Sequence, residues 1–156
     1  MTKLIIGITG PPAAGKETVA QIIADELKAK DLRVYRGTFS DVLYETLDIW
    51  GLAKDRSNAQ RLAVVMRNAF GPTALTDAVA ARAANTDAHA VIIDGVRWLV
   101  DEDLIRSFPN NLVIAVGASP KERWGWARAR KEKAGEETVS WEEFQAQDQA
   151  ENERFV

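Results

Sequence analysis

The junction at residues 4–20, LIIGITGPPAAGKETVA, limits the folds open to this chain more than any other stretch. Leu4–Thr9 is a short apolar run rich in β-branched residues, and it stops at Gly10. Two prolines and two alanines follow, then Gly15 and Lys16. Beyond the lysine, Val19, Ala20, Ile22, Ile23 and Leu27 recur at helical spacing with polar residues between them. A strand apolar on both faces belongs inside a parallel sheet, and such a sheet needs helices over both of its sides.

The rest of the chain repeats this alternation. Residues 33–39 read as a second strand, 90–94 as a third ending at Gly95, and 112–116 as a fourth. Between them, Ser40 and Asp41 offer an N-cap for a helix through Trp50, and Ser57 or Asn58 caps another that runs to Phe70. Gly71 breaks that helix, and Pro72 suits the first turn of the next, to about residue 84. Residues 98–107 are predicted helical, and Pro109-Asn110-Asn111 a turn. Ser119-Pro120 opens a basic helix to residue 133, and 135–139 is a polar loop. Ser140 caps a last helix from Trp141, with Glu143 at the capping-box position. No internal repeat or low-complexity segment interrupts the pattern.

Gly10-Pro11-Pro12-Ala13-Ala14-Gly15-Lys16 fits the spacing G-x-x-x-x-G-K, with a strand before it and a helix after it. A polyphosphate can be wrapped closely only where side chains are absent and backbone N–H groups can turn inward. The helix N-terminus behind the loop adds a partial positive charge of roughly half a unit. Gly10, Pro12, Ala13, Ala14 and Gly15 are therefore the candidate cradle, and Lys16 the contact to the terminal phosphates. Residue 17 departs from the pattern, which asks there for Ser or Thr. Glu17 stands in that place, and the hydroxyl comes one position later at Thr18. Mg²⁺ favours carboxylate and water oxygens. Glu17 either ligates Mg²⁺, directly or through a water, or is only a favourable first-turn carboxylate. Asp94 ends the apolar run Val91-Ile92-Ile93, at the sheet end where ligands gather. It is the candidate for orienting hydrated Mg²⁺, against the plainer reading of a turn aspartate.

Composition narrows the classes. With 156 residues the chain fits one domain. Zero cysteines exclude disulfides, thiolate metal sites and thiol nucleophiles. A net charge of −3 argues against a broad nucleic-acid surface. No apolar run is long enough to span a bilayer, and no signal-type segment opens the chain, so a cytoplasmic protein with neither membrane nor nucleic-acid partner is expected. His89, the single histidine, reads as structural.

The segment GPPAAGKETVA resembles the start of the P-loop kinases that act on nucleoside monophosphates and related small acceptors. Some deoxynucleoside monophosphate kinases also carry an acidic residue and then Thr after the lysine. The chain most resembles archaeal and bacterial AAA-family ATPases described as dephospho-CoA-kinase-like or adenylate-kinase-like. The likeness continues through FSDVLYETL, RLAVVMRNAFGPTAL, VIIDGVRW, SPKERWGWARAR and SWEEFQAQDQAE. It implies a P-loop α/β fold: a three-layer α/β/α sandwich on a parallel sheet of four recognisable strands, in the order 2-3-1-4. One domain, 1–156, would hold a core (1–39 and 90–118), a helical acceptor-binding region (40–86), and lid and C-terminal helices (119–156).

The resemblance also implies roles. Arg97 would contact the acceptor phosphate or the transferred group. Arg56, Arg61 and Arg67 would grip the acceptor's anion, since a guanidinium fork holds phosphate bidentately; Arg67 is the strongest of the three. Asp41, after the second strand, would contact the acceptor and would serve as general base if the acceptor is a hydroxyl. Arg123, Arg128 and Arg130 resemble lid cations that close over the phosphates, and Arg123 or Arg128 would also stack on adenine. The plain alternative is a solvent-facing basic helix balanced by Glu122, Glu132, Glu136 and Glu137. Trp124 and Trp126 lie on different helix faces; one covers the base or both pack under the lid.

The implied activity is ATP- and Mg²⁺-dependent phosphoryl transfer to a nucleoside or deoxynucleoside monophosphate. A dephospho-CoA-kinase-like activity and a nucleotide-binding regulatory module without turnover are the alternatives. Members of the group continue into a fifth strand, and nothing after Trp141 reads as one. Either four strands suffice, a partner chain completes the sheet, or the gene is shortened. The open edge of strand four would favour a homodimer.

Overall fold

A computed structural model of the protein describes residues 2–130 and 136–154. Strands β1 (Leu4–Thr9), β2 (Val34–Thr38), β3 (Ala90–Val96) and β4 (Asn111–Ala115) alternate with seven described helices. These are α1 (Lys16–Lys28), α2 (Asp41–Ile49), α3 (Arg56–Phe70), α4 (Ala74–Asn85), α5 (Leu99–Ser107), α6 (Pro120–Arg130) and α7 (Trp141–Arg154). All strand pairings are parallel, in the order β2-β3-β1-β4. This is the sandwich and strand order expected from the sequence.

Neighbouring residues of the central strands serve opposite layers. Ile6, Ile8 and Ile92 pack with Ala20 and Ala24 of α1. Ile5, Val91 and Ile93 pack with Val79 and Ala83 of α4 and Ile105 of α5. That two-sided burial is why β1 and β3 carry no polar face. Each buried isoleucine contributes about 1.5–3 kcal/mol relative to an exposed one. Helices α2, α3 and α4 form a smaller core of their own around Leu43, Leu47 and Ala59, with Leu62 and Leu75 packed on it. Arg82 of α4 pairs with Glu45 of α2 and ties this group together.

The structure moves several predicted boundaries. α3 is capped by Asp55, whose carboxylate accepts the Asn58 N–H at 2.8 Å, not by Ser57 or Asn58. Ser40 makes no side-chain cap; the Asp41 carboxylate takes the Thr38 N–H instead. α4 starts at Ala74, after the Gly71-Pro72-Thr73 turn. β3 continues past Asp94 because pairing with β1 skips Gly95, which sits at φ 84° in a bulge. The predicted cap of α7 is present in full: Ser140 N donates to Glu143 and Glu143 N to Ser140 Oγ. The predicted extension of α6 to residue 133 and the start of the following loop lie outside the described residues, as do 155–156. Among the described residues no helix is long and apolar enough to cross a membrane.

Candidate active site

The loop between β1 and α1 sits at the C-terminal end of the sheet, and three backbone features shape it. Gly10 has φ 147°, and a Cβ there would stand 2.1 Å from the Val116 carbonyl oxygen, so only glycine fits against the segment that follows β4. Gly15 caps α1 with φ 88°. Ala13 adopts φ 58°, a left-handed conformation that costs a non-glycine residue energy and must be held by its surroundings. Ala14 is buried under the loop. The Lys16 ammonium folds back over the loop and donates to the Gly10 and Pro11 carbonyls at 3.1 and 3.0 Å. The N-terminus of α1, whose first N–H groups have no acceptor within the helix, opens at the same place.

Asp94 stands beside this loop on β3. Its Oδ1 is buried without a hydrogen-bond partner among the described residues. Burial pushes the carboxyl above its ordinary range, while the nearby Lys16 charge and the Gly95 N–H oppose that shift. Glu17 lies close enough to raise it further, and Arg36 to lower it. A half-buried carboxylate oxygen that lacks a donor suits a metal-bound water, so the residues present fit the Mg²⁺ that a phosphate loop requires. Glu17, however, pairs with Arg36 at 2.5 Å. Arg36 also donates to Gln21 at 2.5 Å. Thr18 is exposed on the first turn of α1.

The other expected residues divide into three groups. Arg56, Arg61 and Arg67 are exposed along α3, and Arg97 is exposed just after β3. The backbone N–H groups of Arg97 and Trp98 both donate to buried Asp101 at 3.0 Å, which fixes the turn that carries Arg97. Burial raises the Asp101 carboxyl, opposed by those two N–H groups. Asp41 is committed: one carboxylate oxygen accepts the Thr38 N–H at 2.7 Å and the other the Thr38 hydroxyl at 2.8 Å. It is a turn-forming carboxylate here, not an unengaged base.

Arg123 departs from a solvent-facing lid cation. Its side chain is 4% exposed and pairs bidentately with Asp148 of α7 at 2.5 and 2.6 Å. The same guanidinium donates to the Pro12 carbonyl of the loop at 3.2 Å. Arg128 is exposed, lies over the Trp124 ring and donates to the Glu137 carbonyl. Trp124 is a packing residue: its Nε1 donates to the Val139 carbonyl and its ring meets Trp141 edge-on. His89 accepts the Arg33 N–H at the strand entrance, a structural role.

Sequence reading missed Arg36 and Asp148. In the sequence Arg36 is one polar residue inside the second strand, with no motif around it. Asp148 is one of many polar residues on α7, twenty-five positions from its partner.

Comparisons with known proteins agree with this fold. A family model described as an AAA domain matches residues 9–145. A UPF0200 protein of Hyperthermus butylicus is 30% identical over 94% of this chain and 74% of its own length. UPF0200 protein MJ1399 of Methanocaldococcus jannaschii is also 30% identical, over 93% of this chain and 71% of its own length. Among solved structures, a shikimate kinase from Bacteroides thetaiotaomicron superposes with a TM-score of 0.56 at 11% identity, covering 99% of this chain and 79% of that one. TT1252 from Thermus thermophilus gives 0.54 at 22% identity, over 99% and 84%. The likeness to these structures is one of fold, and it is the P-loop kinase-like fold. By the family model that spans residues 9–145 and by its relatives, this chain belongs to the AAA-domain family and to the UPF0200 proteins.

Proposed function

We propose that the chain is a small-molecule kinase that uses ATP and Mg²⁺ to phosphorylate a nucleoside or deoxynucleoside monophosphate. The observation that carries this reading is the loop at residues 10–16. Its glycines, its left-handed Ala13 and the lysine folded over it form a cradle of the kind that suits a polyphosphate. In the reading, the loop amides and Lys16 bind the donor phosphates. Asp94 and Thr18 hold waters of Mg²⁺, and Glu17 joins them when it leaves Arg36. The metal ion supplies charge neutralisation across the transferred phosphate. Arg67 and Arg97, with Arg56 and Arg61 behind them, orient the acceptor anion. Phosphoryl transfer depends on such positioning more than on covalent help.

The state of Asp41 supports a phosphate acceptor over a hydroxyl one. A phosphate oxygen is already nucleophilic and needs no base, and both Asp41 oxygens are taken by Thr38. The helices over 40–86 serve as the acceptor region in this scheme, and the α6–α7 end covers the donor side.

The test is ADP formation in the presence of ATP, Mg²⁺ and single acceptors: the common monophosphates, dephospho-CoA, or none. Turnover that requires one monophosphate is expected and names the substrate. Turnover only with dephospho-CoA would move the assignment to that alcohol. Tight ATP binding without acceptor-dependent ADP would make the chain a nucleotide-binding module.

A further inference from the structure

We propose that Arg123 and Asp148 are positioning residues that hold the phosphate loop in its binding shape, coupling helix α7 to the nucleotide. The inference rests on the nucleotide-binding reading above. It starts from the strained residue of the loop. Ala13 has φ 58°, where alanine does not rest unaided. The peptide that precedes it is planar and trans, so the Pro12 C=O and the Ala13 N–H point in opposite directions. The Arg123 guanidinium donates to that C=O at 3.2 Å. Pinning the oxygen toward α6 therefore turns the Ala13 N–H away from α6.

Arg123 is itself fixed from three sides. Its Nε donates to the Ala118 carbonyl at 3.2 Å. Asp148 takes both terminal nitrogens, with the two side chains 4% and 9% exposed. The Phe144 ring lies 5.7 Å from the guanidinium carbon. The α7 segment that supplies Asp148 and Phe144 is anchored in turn by its capping box and by the Trp124–Val139 hydrogen bond. A buried cation satisfied in this way cannot sweep in and out as a lid does. It can transmit the orientation of α7 to one peptide of the loop, and the order of the loop back to α7.

Two variants and one measurement on the unaltered chain test this. Asp148→Asn removes the charge partner; Arg123→Lys keeps a cation for Asp148 but lacks the fork needed to reach Pro12 as well. Calorimetry with inorganic tripolyphosphate and with ATP should show both ligands weakened by the same factor, about tenfold or more, in protein that circular dichroism reports as folded. In the unaltered chain, tripolyphosphate should slow amide hydrogen exchange in α7 by about fivefold or more. Variants that lose thermal stability yet bind tripolyphosphate as the parent does would overturn the proposal, leaving a purely structural ion pair. Protection of the loop and α1 with none in α7 would overturn it equally, and decides the matter if neither variant folds. A parent chain that binds no tripolyphosphate would instead remove the nucleotide-binding reading, and the brace with it.

Discussion

The two ends of this site are built differently. At the donor end, β1, the loop and α1 define the site with backbone: Gly10 lies against the Val116 carbonyl, Ala13 is held left-handed, and Lys16 folds onto two loop carbonyls. At the proposed acceptor end, α2 to α4 bury a small core around Leu43, Leu47 and Ala59 and carry Arg56, Arg61 and Arg67 at exposed positions. A preformed cradle spares its ligand the cost of ordering it, whereas exposed arginines lose rotamer freedom on binding. In the proposed reading, polyphosphate recognition is built into the fold, and acceptor choice rests on side chains that the ligand must gather. The same fold can change acceptors without disturbing its donor loop.

Lys16→Ala should break the donor end most severely. In the proposed reading the ammonium is a preorganised charge for the phosphates, and removing such a group costs about 10²–10³ in kcat. The expected result is that loss with little change in acceptor KM, read from steady-state rates. Near-normal turnover would remove the donor site altogether. Asp94→Asn should come next, lowering kcat by about 10² while making the free protein more stable. The sign follows from burial, which raises the Asp94 carboxyl above its ordinary value near 3.8. A raised folded-state pKa means stability present at low pH and lost as pH climbs from that ordinary value through the folded one. At pH 7 the parent carries the cost of the ionised form and the asparagine variant does not. Melting curves from about pH 4 to pH 7 should show Asp94→Asn gaining roughly 1–3 °C at the upper end and flattening part of the slope. Asp101, shifted the same way by burial, keeps the rest. A variant less stable than its parent at pH 7 would mean that Asp94 serves the fold before the metal.

The strand, loop and helix at residues 4–28 were legible in the sequence because their constraints are written as residue types. Only glycine tolerates the approach at position 10, and a strand buried on both faces can only be apolar. The Ser140–Glu143 cap was legible for the same reason, because it depends on local pattern; the strand order is non-local and came from the family resemblance. What escaped were pairings whose partners are far apart or ambiguous. Arg36 and Glu17 are nineteen residues apart, and Arg123 and Asp148 twenty-five. Neither spacing leaves a periodic trace. Asp41 was visible at the strand mouth, but a carboxylate three residues after Thr38 also had a local use, and the backbone took it. The arginines of α3 were found as charges; which of them meets an acceptor depends on the ligand.

Arg67→Ala and Arg97→Ala sharpen the comparison from the acceptor end. Each should raise acceptor KM about tenfold to a hundredfold, the worth of one charge-assisted phosphate contact, and leave ATP affinity unchanged. A double variant should be less than additive if both hold one phosphate. Equal losses in ATP affinity would place these arginines at the donor end and dissolve the division.

The smallest effect belongs to Arg36, where the two ends meet. The Glu17 carboxylate is 74% exposed and Arg36 26%, so their ion pair contributes at most about 1 kcal/mol to stability. Its larger consequence is for charge beside Asp94. Lys16 and Arg36 both act on Asp94 there, and Arg36 also pairs with Glu17; without Arg36 only Lys16 opposes the two carboxylates, and a cation that repels Mg²⁺ is gone. Arg36→Gln should therefore lower the Mg²⁺ concentration that gives half-maximal ATP binding, by about twofold to threefold, because exposed charges are screened. Glu17→Gln should raise it by a similar factor, and Arg36→Lys should resemble the parent. If both Arg36 variants and Glu17→Gln titrate with Mg²⁺ as the parent does, then Glu17 is a first-turn carboxylate and nothing more, and Asp94 and Thr18 organise the metal alone.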